Sequence, residues 1–237
     1  MNINIISHYR KLIFFALRRY EGSNYALMRN YFATILVHDL KKYISPNKKN
    51  ILDVGGSSGE FAKYIGETFD CKILNLDPHP MNPVWDTVTS SADKMPFESN
   101  KFDLIFFRGV LEHIKPSLQQ DSIDEIFRVL NTGGVCYLVI PPWYNPHAGH
   151  GLKPFHLLPF PLAKFLKNLI FRKKVLYNSL EESSLYKVTH RGTQEMIKKS
   201  GFTILDTKDT HLRLHFLTKI PIIREFAVPA VAFILKK

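Results

Sequence analysis

Between residues 50 and 142, the apolar runs ILDV, CKILNLD, KFDLIFF and VCYLVI alternate with the amphipathic stretches GEFAKYIGETF and Ser117 to Leu130. No other feature of the chain constrains its fold as strongly. Strands that are apolar along their whole length have both faces covered, and strands separated by helices run parallel. The pattern therefore predicts a mostly parallel sheet with helices on both faces, a Rossmann-like α/β fold. A strand in PVWDTVT, another in GFTILDT and a last one near residues 228 to 236 bring the sheet to seven. Two helices, over residues 5–20 and 24–43, precede it. In the second, Tyr25, Met28, Tyr31, Phe32, Ile35, Leu36 and Leu40 recur at spacings of three and four, behind Ser23 or Asn24 as a cap. NTGG, residues 131–134, reads as a helix-ending turn, and a further helix is expected around Arg191 to Ser200. A length of 237 residues suits one domain. Its parts are a helical extension (1–46), a sheet-forming half (50–140), a loosely patterned cap insertion after the fifth strand (141–188), and a closing helix and strands (189–237).

Open parallel sheets bind ligands at the carboxyl ends of their strands, where strand order reverses. The first such end here is DVGGSSGEF. Gly55 and Gly59 let the backbone approach a ligand closely, and the helix that starts at Gly59 presents unpaired amides. The dinucleotide fingerprint G-x-G-x-x-G is not met: counting from Gly55, Ser57 and Glu60 hold the next two glycine positions. No Gly-Lys-Ser/Thr follows, which excludes a P-loop. Asp53, at the head of the turn, would repel a pyrophosphate but suits an ammonium or sulfonium group. Asp77 ends the next strand, 22 residues beyond Gly55, where a carboxylate would hold a ribose diol. A cationic head joined to a ribose describes S-adenosylmethionine.

At this point the sequence resembles a known family. DVGGSSGEF is similar to the first motif of class I S-adenosylmethionine-dependent methyltransferases, and LNLD to their second-strand acid. SADKMPFESNKFDLIFFRGVLEHI and EIFRVLNTGGVCYLVIPP resemble the later motifs of the subgroup that includes ubiquinone and menaquinone methyltransferases, the type 11 methyltransferases. THRGTQEMIKKSGFTIL matches more loosely. The resemblance implies transfer of a methyl group (EC 2.1.1.-), with S-adenosylmethionine as cofactor and S-adenosylhomocysteine as its product. It also implies a binding set. Asp53, Gly55, Gly56, Ser57 and Gly59 would serve the methionine portion and the turn, and Asp77 with Pro78 the ribose. Ser91, Ala92 and Asp93 would serve the adenine, and Arg108 would shape access to the site. The family places an acid two residues before the position of Asp93; Ser91 stands there, so either Ser91 replaces it or Asp93 makes the contact. Ser57 stands where many members carry glycine, a change compatible with a negative φ.

Methyl transfer requires an acceptor held in line with the sulfonium, and a base when that acceptor is a hydroxyl. His113 in GVLEHI follows the fourth strand and reads equally as a base or as a packing residue. His147, His150 and His156 lie in NPHAGHGLKPFH. Of these His150, between two glycines, is the preferred base, ahead of His113. Trp143, Tyr144, His147 and His156 are candidates for acceptor contact, with core packing as the alternative. Metal is set aside, because no cysteine is near and the loop brings no carboxylate. In LAKFLKNLIFRKK an apolar stripe of Leu162, Phe165, Leu166, Leu169 and Ile170 is accompanied by Lys164, Lys167, Arg172, Lys173 and Lys174. That pattern suits a lid helix docked on the sheet or a helix lying on an anionic membrane.

Charge is uneven along the chain. Residues 1–50 carry 9 Lys/Arg against 2 Asp/Glu, 51–140 carry 7 against 13, and 141–237 carry 16 against 6. Basic flanks around an acidic centre favour an anionic partner, against the plainer reading of a solvated basic surface. A small-molecule, lipid or glycan acceptor is preferred, acting through O-methylation. RNA methylation is the alternative by charge, although no RNA-binding module is recognisable. A fold kept for membrane-surface or protein binding without catalysis is the alternative of a different class. Cys71 and Cys136 lie in apolar runs and read as buried thiols, not a disulfide framework. The run from Leu12 to Leu17 is far short of the roughly 20 residues of a membrane span and lacks a cleavage site, so a cytoplasmic protein, with peripheral membrane contact open to it, is expected. The oligomeric state is not legible.

Overall fold

The computed structural model describes residues 4–18, 21–171 and 174–237, with only the backbone of Tyr25 and Ala26. Seven strands form one sheet: β1 (Asn50–Val54), β2 (Lys72–Asp77), β3 (Thr87–Thr89), β4 (Phe102–Arg108), β5 (Leu130–Ile140), β6 (Thr203–Asp209) and β7 (Val231–Lys236). Their spatial order is β3-β2-β1-β4-β5-β7-β6. All neighbours pair in parallel except β7, which runs antiparallel to both β5 and β6. The expected fold class is the one observed.

Alternation along β4 shows why both faces are filled. Leu104 and Phe106 join Ile51, Tyr137 and Ile234 beneath α2 (Asn24–Leu40) and α3 (Glu60–Thr68). Ile105 and Phe107 join Leu52, Leu138 and Phe233 beneath α4 (Pro116–Val129) and α6 (His190–Lys199). Each such side chain contributes on the order of 1.5–3 kcal/mol by leaving water, so this two-sided core dominates the stability. α1 (Ile5–Arg18) packs at the margin through buried His8 and Phe15. The expected helix over 5–20 has its last two residues outside the described residues.

Three expectations need correction. PVWDTVT forms a strand only at Thr87–Thr89. Pro83 has no N–H to give a ladder, and Trp85 turns its indole onto the neighbouring strand, donating from Nε1 to the Ile73 carbonyl at 2.9 Å. NTGG does not end a helix; it bulges within β5, where the pairing with β4 jumps from Phe102↔Leu130 to Leu104↔Val135. Cys136 is a buried thiol, whereas Cys71 is only half-buried.

The insertion after β5 holds two short 3-10 turns, His150–Leu152 and Phe155–Leu157, and the helix α5 (Phe160–Phe171). It has a small core of its own in Leu152, Ala163 and Val175. Backbone hydrogen bonds from Trp143 to Val188 and from Tyr186 to Glu112 fasten it over the carboxyl end of the sheet. Of the basic residues expected beside α5, Arg172 and Lys173 lie outside the described residues. No described helix is long and apolar enough to cross a membrane.

Candidate active site

Strand order reverses at β1, with β2 on one side and β4 on the other, so a cleft opens at the carboxyl ends of these strands. The glycine turn lines it. Gly55, at φ +74°, has no room for a side chain: a Cβ there would lie 2.3 Å from Val110 Cγ2. A Cβ on Gly56 would lie 2.1 Å from Asn75 Oδ1 and 2.5 Å from Asp53 Oδ2. Ser57 adopts φ +53°, not the negative value expected. The reason is a two-sided grip on its peptide groups. Its N–H donates to Asp77 Oδ2 at 2.8 Å, and its carbonyl accepts from Asn75 Nδ2 at 3.0 Å. These bonds offset a backbone strain of roughly 1–3 kcal/mol. Asn75 escaped the sequence reading, although a polar residue inside the apolar run KILNLD was the available signal. Gly59 caps the N-terminus of α3.

Asp53 is 1% exposed, and Arg108 Nη2 approaches its Oδ1 to 3.5 Å. The guanidinium also lies over the Phe61 ring, 3.5 Å from its centre. Burial pushes the Asp53 carboxyl above its usual range, with Arg108 pulling the other way. The acid expected to face a ligand's positive centre is therefore met by a cation of its own chain. Asp53 Oδ2, which has no hydrogen-bond partner in the protein, lies directly under Gly56. Beside this pair is a cavity of about 380 Å³ lined by Arg29, Phe61, Tyr64, Val84 and Arg108 among others, with Arg29 paired to Glu60 at 2.6 Å. Arg29 also escaped the sequence reading, because it sits in a helix legible only by its apolar stripe.

At the end of β2, Asp77 is half-buried; besides Ser57, it accepts from the His79 amide at 2.8 Å. Pro78 is exposed beside it. Ser91 and Asp93 are both half-buried in the turn after β3, while the Ala92 side chain belongs to the core.

On the cap side the fold joins two distant segments. His150, at φ +45°, points its Nε2 to within 3.9 Å of Glu112 Oε1 and meets the His113 ring edge-on, with centroids 4.8 Å apart. His113 Nδ1 donates to the Ser184 carbonyl at 2.7 Å. Glu112 is 3% exposed, its Oε2 is without a partner, and burial raises its carboxyl to about 7. Burial, then the charges of His113, Lys153 and His156, lower the His150 imidazole to about 4. One carboxylate oxygen and two ring nitrogens thus fall within 4.8 Å of one another. Metal was set aside because the loop brings no carboxylate; the fold supplies one from Glu112. Glu112 itself was missed, since nothing local marks it as facing a residue so far along the chain.

The other cap candidates are dispersed. His156 is buried, donating from Nε2 to the Trp143 carbonyl at 2.8 Å under the edge of the Trp143 ring. It ties two parts of the cap together, and its burial leaves it little surface to offer an acceptor. Trp143 is half-buried. Tyr144 stacks on Phe226 and accepts from Lys187 Nζ at 2.7 Å, and His147 is exposed.

Comparison with known proteins gives this geometry a context. A family model described as a methyltransferase domain matches residues 25–187. An uncharacterized methyltransferase of Mycobacterium sp. (strain JLS) is 26% identical over 203 residues, 81% of this chain and 78% of its own. Among solved structures, a S-adenosylmethionine-dependent methyltransferase from Archaeoglobus fulgidus superposes with a TM-score of 0.56 at 15% identity, over 90% of this chain and 99% of its own. A 1,6-didemethyltoxoflavin-N1-methyltransferase from Burkholderia thailandensis, solved with 1,6-didemethyltoxoflavin and S-adenosylhomocysteine bound, gives 0.56 at 13% identity, over 100% and 92%.

Proposed function

The chain belongs to the methyltransferase-domain family, and from that premise we propose that it is a S-adenosylmethionine-dependent O-methyltransferase acting on a lipid-linked, glycan or other amphipathic acceptor. One observation carries the cofactor half: the Ser57 peptide is clamped between Asn75 and Asp77 at the strand switch. That clamp leaves a glycine cradle with no room for a Cβ at Gly55 or Gly56, and a carboxylate at the end of β2. The cradle and the acid fit a nucleoside with a free ribose diol. Gly55 to Gly59 would lie against the methionine portion, Asp77 would accept from the ribose hydroxyls, and Ser91 or Asp93 would meet the adenine. Bound S-adenosylmethionine supplies an electrophilic methyl group on a sulfonium.

The chain's own groups then have separable tasks. Arg108 neutralises Asp53 beneath the turn and keeps a buried carboxylate from standing alone. Neutral His150 takes the proton of the acceptor hydroxyl, and the Glu112 carboxylate behind it stabilises the imidazolium that forms. His113, held by the Ser184 carbonyl, fixes the plane against which the His150 ring rests. The cap keeps water from the reacting atoms. The reading is tested by calorimetric titration with S-adenosylhomocysteine, followed by transfer of labelled methyl groups to amphipathic alcohols. Absence of binding by the wild-type protein would overturn it.

A further inference from the structure

Large apolar side chains that remain exposed are normal singly but informative when gathered. Among the described residues, all but four of them fall in α1, in the cap and in residues 214–226. These three segments adjoin. β6 runs parallel to β1–β5, so residues 210–230 leave from the same sheet end as the cap. Tyr9 of α1 donates to the Leu212 carbonyl at 2.7 Å, and Asn145 of the cap donates to the Phe226 carbonyl at 2.7 Å. All three therefore gather at the carboxyl end of the sheet, the end at which the cleft opens.

Both helices carry two opposite faces. In α1, His8 and Phe15 are buried, while Ile6, Ile13 and Leu17, spaced seven and four, occupy the opposite face and are 69%, 61% and 77% exposed. In α5, Ala163 and Lys167 are buried, and Phe165 and Leu169, 60% and 62% exposed, point away from them. The inner face of this helix packs on the cap's own residues, Leu152 and Val175, and the outer face is open. Charge then selects what covers the outer faces. Ile5–Arg18 contains Arg10, Lys11 and Arg18 and no acid, and Phe160–Phe171 contains no acid and two cations, of which Lys164 is partly exposed while Lys167 is buried on the inner face, donating to the Lys153 carbonyl at 2.8 Å. Residues 210–230 add the cations Lys219 and Arg224, since Arg213 is turned inward and paired with buried Asp39 at 2.6 Å, and the Glu225 carboxylate, the one acid of this segment, is engaged by the His190 and Arg191 amides.

We propose that this end of the protein docks on an anionic lipid bilayer, with the outer faces of α1 and α5 and residues 214–226 sunk to the acyl boundary and the Lys/Arg side chains at the headgroups. The proposal stands whether or not the site transfers methyl groups. If it does, the mouth opens onto the membrane, from which an acceptor with a lipid tail would be delivered.

Flotation of the full chain with phosphatidylglycerol-containing vesicles, against pure phosphatidylcholine, is the test. Strong partition to the anionic vesicles, weakened by salt because the Debye length shortens, is expected. Phe165→Ser with Leu169→Ser, and separately Ile13→Ser with Leu17→Ser, should each lower it by on the order of tenfold or more. All four side chains are largely exposed, so the thermal melt should not move. No partition by the wild type, equal partition by the variants, or a solution dimer that the serine variants dissociate without any vesicle binding would each overturn the proposal.

Discussion

Glu112 Oε1 stands 3.9 Å from His150 Nε2, and both groups favour their neutral forms, the carboxyl titrating at about 7 and the imidazole at about 4. Near pH 6 the pair is therefore a neutral acid beside a neutral base. As pH rises through about 7 Glu112 ionises, and a carboxylate beside the imidazole strengthens its basicity. Turnover in the wild type should climb through that range. In Glu112→Gln the step should vanish, with the acceptor KM little changed; an unaltered pH–rate profile would remove Glu112 from the reaction.

The same shift bears on stability. The folded carboxyl of Glu112 is raised above its unfolded value near 4.5, so the folded state holds the proton more tightly and stability falls as pH rises from about 4.5 through 7. His150, depressed to about 4, acts oppositely between about 4 and 6.5, where stability rises with pH. The His150 side chain is 42% exposed against 5% for Glu112, so solvent screens its contribution and the Glu112 effect prevails. Glu112→Gln should therefore gain on the wild type as pH increases, by at most about 3 kcal/mol at pH 8. Urea unfolding at pH 4 and pH 8 measures the difference, which should be nearly absent at pH 4, below the unfolded value.

The sheet was legible because apolar runs of strand length alternate with amphipathic helices, and the cleft followed from the glycine turn and Asp77. What stayed hidden is long-range pairing. Glu112 with His150 and Arg108 with Asp53 join residues 38 and 55 apart, and no local spacing encodes them. The cap was hard to read because its core is only Leu152, Ala163 and Val175, too few positions to impose a period. Ser57 was misjudged because left-handed geometry in a non-glycine residue depends on partners, Asn75 and Asp77, that belong to another strand.

Asp77 holds the Ser57 N–H at 2.8 Å, and in the proposed complex it would also accept from the ribose diol. Asp77→Ala should weaken S-adenosylhomocysteine binding by about 1–3 kcal/mol. Asp77→Asn keeps an oxygen acceptor for Ser57 but loses the charge, and should fall between the alanine variant and wild type by calorimetry. Equal losses in the two variants would mean that the charge alone matters.

The Asp53–Arg108 pair should show strong coupling. Arg108→Met leaves a buried carboxylate without its cation and should cost about 3 kcal/mol in urea unfolding. Asp53→Asn combined with Arg108→Met should recover much of that loss, because no uncompensated charge remains. Additive losses across the double-mutant cycle would show that the 3.5 Å contact carries no energy.

Ser57 offers the sharpest separation of folding from function. Its φ of +53° is a conformation that glycine adopts freely and serine does not. The hydrogen bonds that hold it there, to Asp77 and Asn75, use only its backbone atoms. Ser57→Gly therefore keeps every bond of the clamp and removes the strain, but it also frees the unfolded chain, which works against stability. Relief of left-handed strain is worth about 1–2 kcal/mol and the added unfolded-state freedom about 0.4–1 kcal/mol, so the first should win. The variant should unfold at slightly higher urea than wild type and bind S-adenosylhomocysteine with unchanged affinity. Ser57→Ala, with the same φ requirement as serine, should show no such gain. If Ser57→Gly is instead destabilised, the serine hydroxyl itself takes part in the turn, and the backbone clamp alone does not account for the conformation at residue 57.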